Sequence, residues 1–373
     1  MAFKNIRYLG IKELFSLSRD GMLMFLIVYS FTLSVYIIAK SVPESLNKTP
    51  VGIVDMDQSR LSQRLVDAFY PPRFAMPLLL TPAQMDVRLD QGADIFALNI
   101  GPHFERDVLA GRHPNLQLNV DATRIGQALI GNADIQTIIN GEIDTWVQGH
   151  RAGKAQPVDL DTQVRFNPNL YKPWFSSVIG LIDQVTILAV VLTGAALIRE
   201  REHGTIEHLL VMPVTPYEIM MSKVWSMGVV VVVSTLLSLI FIIHTLLSVP
   251  IEGSIPLFLA AAALHVFATT SLGIFLATFA RTMPQFGLLL MMVLLPMNML
   301  SGGMTPRESM PAAVNFLMLA SPTTHFVALA KAILFRGAGI SVVWPQFLAL
   351  AVIGTLLFVP SLTRFRKTIG TMA

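Results

Sequence analysis

Long, nearly uncharged runs alternate with short charged gaps along most of this chain. Residues 21–39, 174–198, 224–247, 255–280, 283–304 and 342–363 each form one such run. The first is bounded by Asp20 and Lys40. As a helix it covers roughly 28 Å, about one hydrocarbon core. It is too long for the apolar core of a cleaved signal peptide, and Ala39-Lys40-Ser41 is a weak cleavage cue. The first run is therefore expected to be an uncleaved signal-anchor, and the six runs predict six transmembrane helices.

The pattern changes over residues 41–173. Charge returns, Pro and Gly punctuate, and short β-like runs alternate with helix-like ones. Strands are expected at 51–54, 94–100, 116–120 and 163–166. Helices are expected at 59–69, 81–89, 103–110 and 125–147. Ser59 and Thr81 are placed as N-caps, and Pro82 takes a first helical position. This alternation predicts a small α/β domain inserted between the first two spans. Residues 1–20 carry Lys4, Arg7, Lys12 and Arg19, with Phe3, Ile6, Leu9, Leu14 and Leu17 on one helical arc. They read as an interfacial helix on a leaflet surface. Residues 305–340 hold Pro306, Pro311 and Pro322 and no uncharged run long enough to cross. A re-entrant or surface-lying hairpin is expected there.

The fold class is thus mainly α: a polytopic membrane protein with six transmembrane helices plus an inserted α/β domain. Composition agrees, with 53% hydrophobic and 14% charged residues and a mean hydropathy of +0.60. A soluble domain carries about 25% charged residues. Orientation follows from Lys and Arg in short loops. With the N-terminus inside, the inner segments hold eleven: Lys4, Arg7, Lys12, Arg19, Arg199, Arg201, Lys223, Arg281, Arg364, Arg366 and Lys367. The short outer segments hold three: Arg307, Lys331 and Arg336. Both termini are expected in the cytoplasm, and residues 41–173 outside it. Trp174, Trp225 and Trp344 sit at span ends, where amphipathic rings prefer to lie.

Little soluble chemistry is available. No GxxxxGK[ST] or GxGxxG occurs, so no phosphate cradle is expected, and no HExxH or GxSxG is present. With no cysteine there is no disulfide, thiol catalysis or cysteine-bound metal. Lys and Arg form no aromatic-interleaved patch, which argues against nucleic acid as a partner. His244 and His265, alone on apolar spans, read as structural residues. Asp183 is different. It lies about 13 Å into the second run, where a carboxylate is costly unless it faces a cavity or a partner. Asp183, its neighbour Gln184, and Asn298 beside Pro296 are candidates for a translocation pathway or a subunit interface.

The charged island 199–223 separates the second and third runs: RERE, HGTIEHLL, VMP, VTPYEIMMSK. Thr215-Pro216-Tyr217-Glu218 is a capping box with Pro at the first helical position. It starts a helix that runs through Lys223 into the third span. A short helical piece is expected over 200–212, interrupted at Gly204 and ended by Pro213.

These residues carry a resemblance. Glu200, Arg201, Glu202, Gly204, Thr205, Glu207, Leu209, Pro213, Glu218 and Lys223 match the E-R-E-x-G-T-x-E-x-L, Pro, acidic, Lys pattern of ABC type-2 exporter permeases. The whole chain is similar to the bacterial inner-membrane drug-efflux members. Its outer segment, with Val120-Asp121-Ala122-Thr123-Arg124 and Phe166-Asn167-Pro168-Asn169, resembles theirs. The resemblance implies a permease dimer in a bacterial inner membrane, each subunit binding a separate cytoplasmic ATPase. ATP and Mg would be used by that partner, with no cofactor on this chain. It also implies that Arg199, Glu200, Arg201, Glu202, Gly204, Thr205, Glu207, His208 and Leu209 couple to the ATPase. A periplasmic adaptor protein is a further expected partner. Amphipathic drug-like molecules are the expected cargo. Rival readings are a lipid or polysaccharide exporter, and a non-transporting sensor whose outer domain binds ligand.

Overall fold

The structure, a computed structural model, describes residues 2–41, 48–121, 125–150, 171–202 and 214–370. It forms two compact units: Met1–Val42 with Val164–Ala373, and Pro43–Gln163.

The first unit is helical. Helix α1 (Ala2–Arg19) is followed directly by α2 (Gly21–Ser41). The break is made by Asp20. Its carboxylate accepts the N–H groups of Met22 and Leu23 at 3.1 and 3.0 Å, filling donors that a helix start leaves open. After the second unit come α7 (Lys172–Glu202), α8 (Pro216–Leu246), α9 (Ile255–Ala277), α10 (Met283–Met299), α11 (Ala312–Met318), α12 (Pro322–Phe335) and α13 (Ile340–Gly370).

Helix α7 is the axis of this unit. Leu181, Ile182, Val185, Ala189 and Leu192 are almost wholly buried among α2, α8, α9 and α10. Small residues allow close approach, as expected where helices pack without a hydrophobic drive between them. A Cβ on Gly273 of α9 would stand 2.7 Å from the Val190 carbonyl oxygen. One on Gly194 would stand 2.1 Å from the Phe286 ring of α10.

Among the described residues, five helices are long and apolar enough to cross a membrane: α2, α7, α8, α9 and Ile340–Lys367. The expected span over 283–304 falls short of that test. Helix α10 has 17 residues, about 25 Å. Pro296 interrupts its ladder, Ser301 Oγ donates to the Asn298 carbonyl, and Gly302 takes φ +89°. The last five residues of that apolar run therefore form a turn. Residues 305–340 contain α11 and α12, which meet at 87°. A sixth crossing results only if this bent pair counts as one span.

The second unit holds a four-stranded sheet, ordered β2-β1-β3-β4. Strand β1 (Val51–Asp55) runs parallel to β2 (Leu78–Leu79) and β3 (Phe96–Ile100); β3 pairs antiparallel with β4 (Gln117–Val120). Its helices are α3 (Arg60–Asp67), α4 (Pro82–Asp90), α5 (Phe104–Leu109) and α6 (Ile125–His150). The expected caps are in place: Ser59 accepts the Ser62 N–H, and Thr81 accepts the Gln84 N–H with Pro82 at the helix start. Strand β2 was not expected; two residues carry no periodicity. The expected strand at 163–166 lies outside the described residues.

Candidate functional site

The charged residues that end the second run are the C-terminal turn of α7. Helix α7 continues through Glu202, so Arg199–Glu202 extend the span helix and do not begin a separate piece. At 100° per residue, four consecutive side chains point to four directions. Each one finds a different element.

Arg199 pairs with Asp20, the cap between α1 and α2. Glu200 accepts from Lys223 of α8 at 2.8 Å. Arg201 Nη1 donates to the carbonyl oxygens of Ala277 and Ala280 at 3.0 and 2.8 Å, at the end of α9. Carbonyls left open at a helix C-terminus favour a cation there. Glu202 accepts the Met283 N–H at 3.0 Å, at the start of α10. A donor left open at a helix N-terminus favours a carboxylate. The turn is a hub joining α1, α2, α8, α9 and α10.

Lys223 lies at the centre. It is 1% exposed, and its ammonium also reaches Glu13 of α1 at 3.1 Å. Burying an ammonium costs several kcal/mol unless it is paired and hydrogen-bonded; two carboxylates meet that need. Burial alone would raise the Glu13 carboxyl, but Lys223 holds it below the usual carboxylate range. A cavity of about 240 Å³ opens beside the group, between Glu13, Glu200, Leu192 and Met227.

Helix α1 is clamped along its length. Asn5 Nδ2 donates to Glu218 at 3.1 Å. Trp225 Nε1 donates to the Ile6 carbonyl at 3.1 Å. The Trp225 ring lies against Gly10, where a Cβ would stand 2.2 Å away. Glu218 also completes the expected capping box, accepting the Thr215 N–H at 2.6 Å while Thr215 Oγ1 accepts its own N–H at 3.3 Å. Pro216 occupies the first helical turn.

The structure thus brings Arg199, Glu200, Arg201, Glu202, Thr215, Pro216 and Glu218 to one end of the helical unit. Gly204, Thr205, Glu207, His208, Leu209 and Pro213 lie outside the described residues. Sequence reasoning missed Asn5, Gly10, Glu13, Asp20 and Trp225 as parts of this site. A carboxylate in a helix otherwise rich in Lys and Arg was the available signal for Glu13.

At mid-span Gln184 parts from the other two candidates. Gln184 Nε2 donates to Ser34 Oγ of α2 at 2.9 Å. Asp183 Oδ1 and Asn298 Oδ1 are buried with no hydrogen-bond partner. His265 is a structural residue, stacked on Phe326 at 4.4 Å with Nε2 2.9 Å from Thr186 Oγ1. His244 Nδ1 lies 3.2 Å from the Val249 carbonyl oxygen. Among the described residues no group of three metal-ligating side chains is found.

Comparison with known proteins agrees with this architecture. Residues 21–362 match the family described as ABC-2 family transporter protein. The inner membrane transport permease YhhJ of Escherichia coli (strain K12) is 60% identical over 370 residues, 99% of each chain. The probable multidrug ABC transporter permease YbhR of the same organism is 25% identical over 363 residues, 96% of this chain and 97% of that one. The probable multidrug ABC transporter permease YbhS is 27% identical over 186 residues, 48% of each. With the match extending from the first span into the last helix, this chain belongs to the ABC-2 family of transporter proteins.

Proposed function

We propose that the chain is the membrane-spanning permease subunit of an ATP-driven exporter in a bacterial inner membrane. A separate cytoplasmic ABC ATPase hydrolyses ATP with Mg, and two permease subunits form the path. The cargo is an amphipathic small molecule. The hub end of the helical unit, with most of the Lys and Arg of the short segments between spans, faces the cytoplasm with both termini. The second unit then lies on the periplasmic side, where an adaptor protein can engage it.

The observation that carries this reading is the four-way anchoring of Arg199–Glu202. A push on the segment after Glu202 reaches α2 through Asp20, α8 and α1 through Lys223, α9 through Arg201 and α10 through Glu202. Buried ion pairs and carbonyl-bound guanidinium groups resist stretching. The stroke therefore moves whole helices and is not absorbed by one loop. Residues 203–213 make the direct ATPase contact, and Glu200–Lys223–Glu13 passes it on.

Co-expression with the ABC ATPase tests this. The two chains should co-purify, and hydrolysis should rise when amphipathic cargo is added. A chain that purifies with no ATPase, or with a kinase, contradicts the reading.

A further inference from the structure

Asp183 is the one carboxylate in the middle of a spanning helix among the described residues. It stands about 16 Å from the Lys172 end of α7. No described side chain neutralises it. The adjacent amide of Gln184 turns toward Ser34 of α2. Two lysines on helices that pack against α7 have contacts of their own. Lys331 donates to the Gly302 carbonyl and lies 4.8 Å over the Phe175 ring. Lys40 reaches Tyr171 Oη at 3.3 Å. A second copy of the chain brings the same inventory, so dimerisation adds no mid-span cation from the described residues.

The packing of α7 against α10 gives Asp183 a companion. The helices run antiparallel, with Ile179 against Gly303 and Gly194 against Phe286. Asp183 is eleven residues before Gly194 and Asn298 is twelve past Phe286, about 16 and 18 Å along the two helices. The two fall at one depth. Each holds a buried side-chain oxygen with no donor. Leaving such acceptors unmet is costly, and more so for a charge. Asp183 as a whole is only partly buried. On α10 beside Asn298, Met291, Met292, Leu295 and Met299 are 57–76% exposed. Methionine-rich surfaces adapt to varied apolar shapes.

We infer that Asp183 and Asn298 form a cation-accepting subsite for the ammonium group of an amphipathic cargo, whose apolar body lies along the α10 methionine face. This rests on the permease reading and names its substrate class. Asp183 provides charge and one or two acceptors; Asn298 Oδ1 provides another for a remaining N–H.

The test uses the whole chain in lipid nanodiscs, without ATPase, and two probes with one tail: dodecylammonium and dodecanol. Protein carrying 13C-carboxyl aspartate is followed by infrared difference spectroscopy. Dodecylammonium should shift a carboxylate band in the wild type, and Asp183→Asn should remove that shift. Asp183→Asn should weaken dodecylammonium binding about tenfold or more, as expected for a lost charge-assisted hydrogen bond, and leave dodecanol nearly unchanged. Asp183→Glu should retain much of the preference. If Asp183→Asn, folded and inserted, binds both probes like the wild type, or weakens both equally, the subsite is overturned. Binding without ATP-driven movement in the assembled complex would sink the export reading while leaving the subsite standing.

Discussion

The Lys223 ammonium stands 2.8 Å from the Glu200 carboxylate, joining the end of one spanning helix to the beginning of the next across the charged island. Glu13, 210 residues earlier in the chain, completes the group from α1. Three ionisable side chains meet where only 1% of Lys223 is exposed.

Removing the cation should be severe. Lys223→Met leaves two carboxylates facing each other in a buried site. A loss of about 3–5 kcal/mol is expected, since breaking a buried pair strands its partner. Adding Glu13→Gln and Glu200→Gln to Lys223→Met should restore most of the thermal stability in detergent. Transport should stay impaired, because the α1–α7–α8 tie is gone. A single Lys223→Met variant that melts like the wild type would contradict the pairing.

The docking of α1 should fail when Gly10 gains a side chain. Gly10→Leu drives a branched chain into Trp225. The chain has no cysteine, so Leu17→Cys is a clean reporter. Leu17 is 4% exposed, and its thiol should react slowly with a maleimide. Adding Gly10→Leu should speed labelling markedly. Equal rates would show that α1 does not depend on this contact.

Acid should weaken the hub through Asp20 and Glu13. The Leu23 N–H, with Arg199 beside it, holds the Asp20 carboxyl below its usual range. Lys223 does the same for Glu13 against the opposing effect of burial. Depressed carboxyls add stability that is fully present above their unfolded values, about 3.9 for Asp and 4.3 for Glu. That stability is lost as pH falls through the lower folded values. Asp20→Asn keeps a capping acceptor and removes the charge. Its stability gap to the wild type should be constant from neutral pH to about 5, then shrink below about pH 4. A gap that closes near pH 7 would contradict this.

The α8 cap contributes less. Thr215→Ala should cost about 1 kcal/mol, as an N-cap loss does, and Thr215→Ser should be nearly neutral. Thermal melting of the two variants side by side is the check.

Local features of this fold were legible in the sequence. Ser59, Thr81 and Thr215 cap helices because the motif and its effect lie within four residues. The long apolar runs gave the spanning helices for the same reason. Long-range pairing was not legible. Lys223 counts among the inner-segment cations, yet it is buried; Glu13, which offsets its charge, sits more than 200 residues away in sequence. Trp225 read as an interfacial aromatic, but its ring packs on Gly10. The run 283–304 is apolar enough to cross; Pro296 and Gly302 stop the helix early, which hydropathy does not register.

The proposed drive, a separate ATPase moving cargo through this chain by way of the island and its hub, is directly measurable. Inside-out vesicles holding both chains test it through ATP-dependent uptake of a fluorescent amphipathic amine. Uptake should need both chains, and Glu207→Lys should abolish it while membrane insertion stays normal. Uptake by the permease without the ATPase, or at the wild-type rate in Glu207→Lys, would contradict the account.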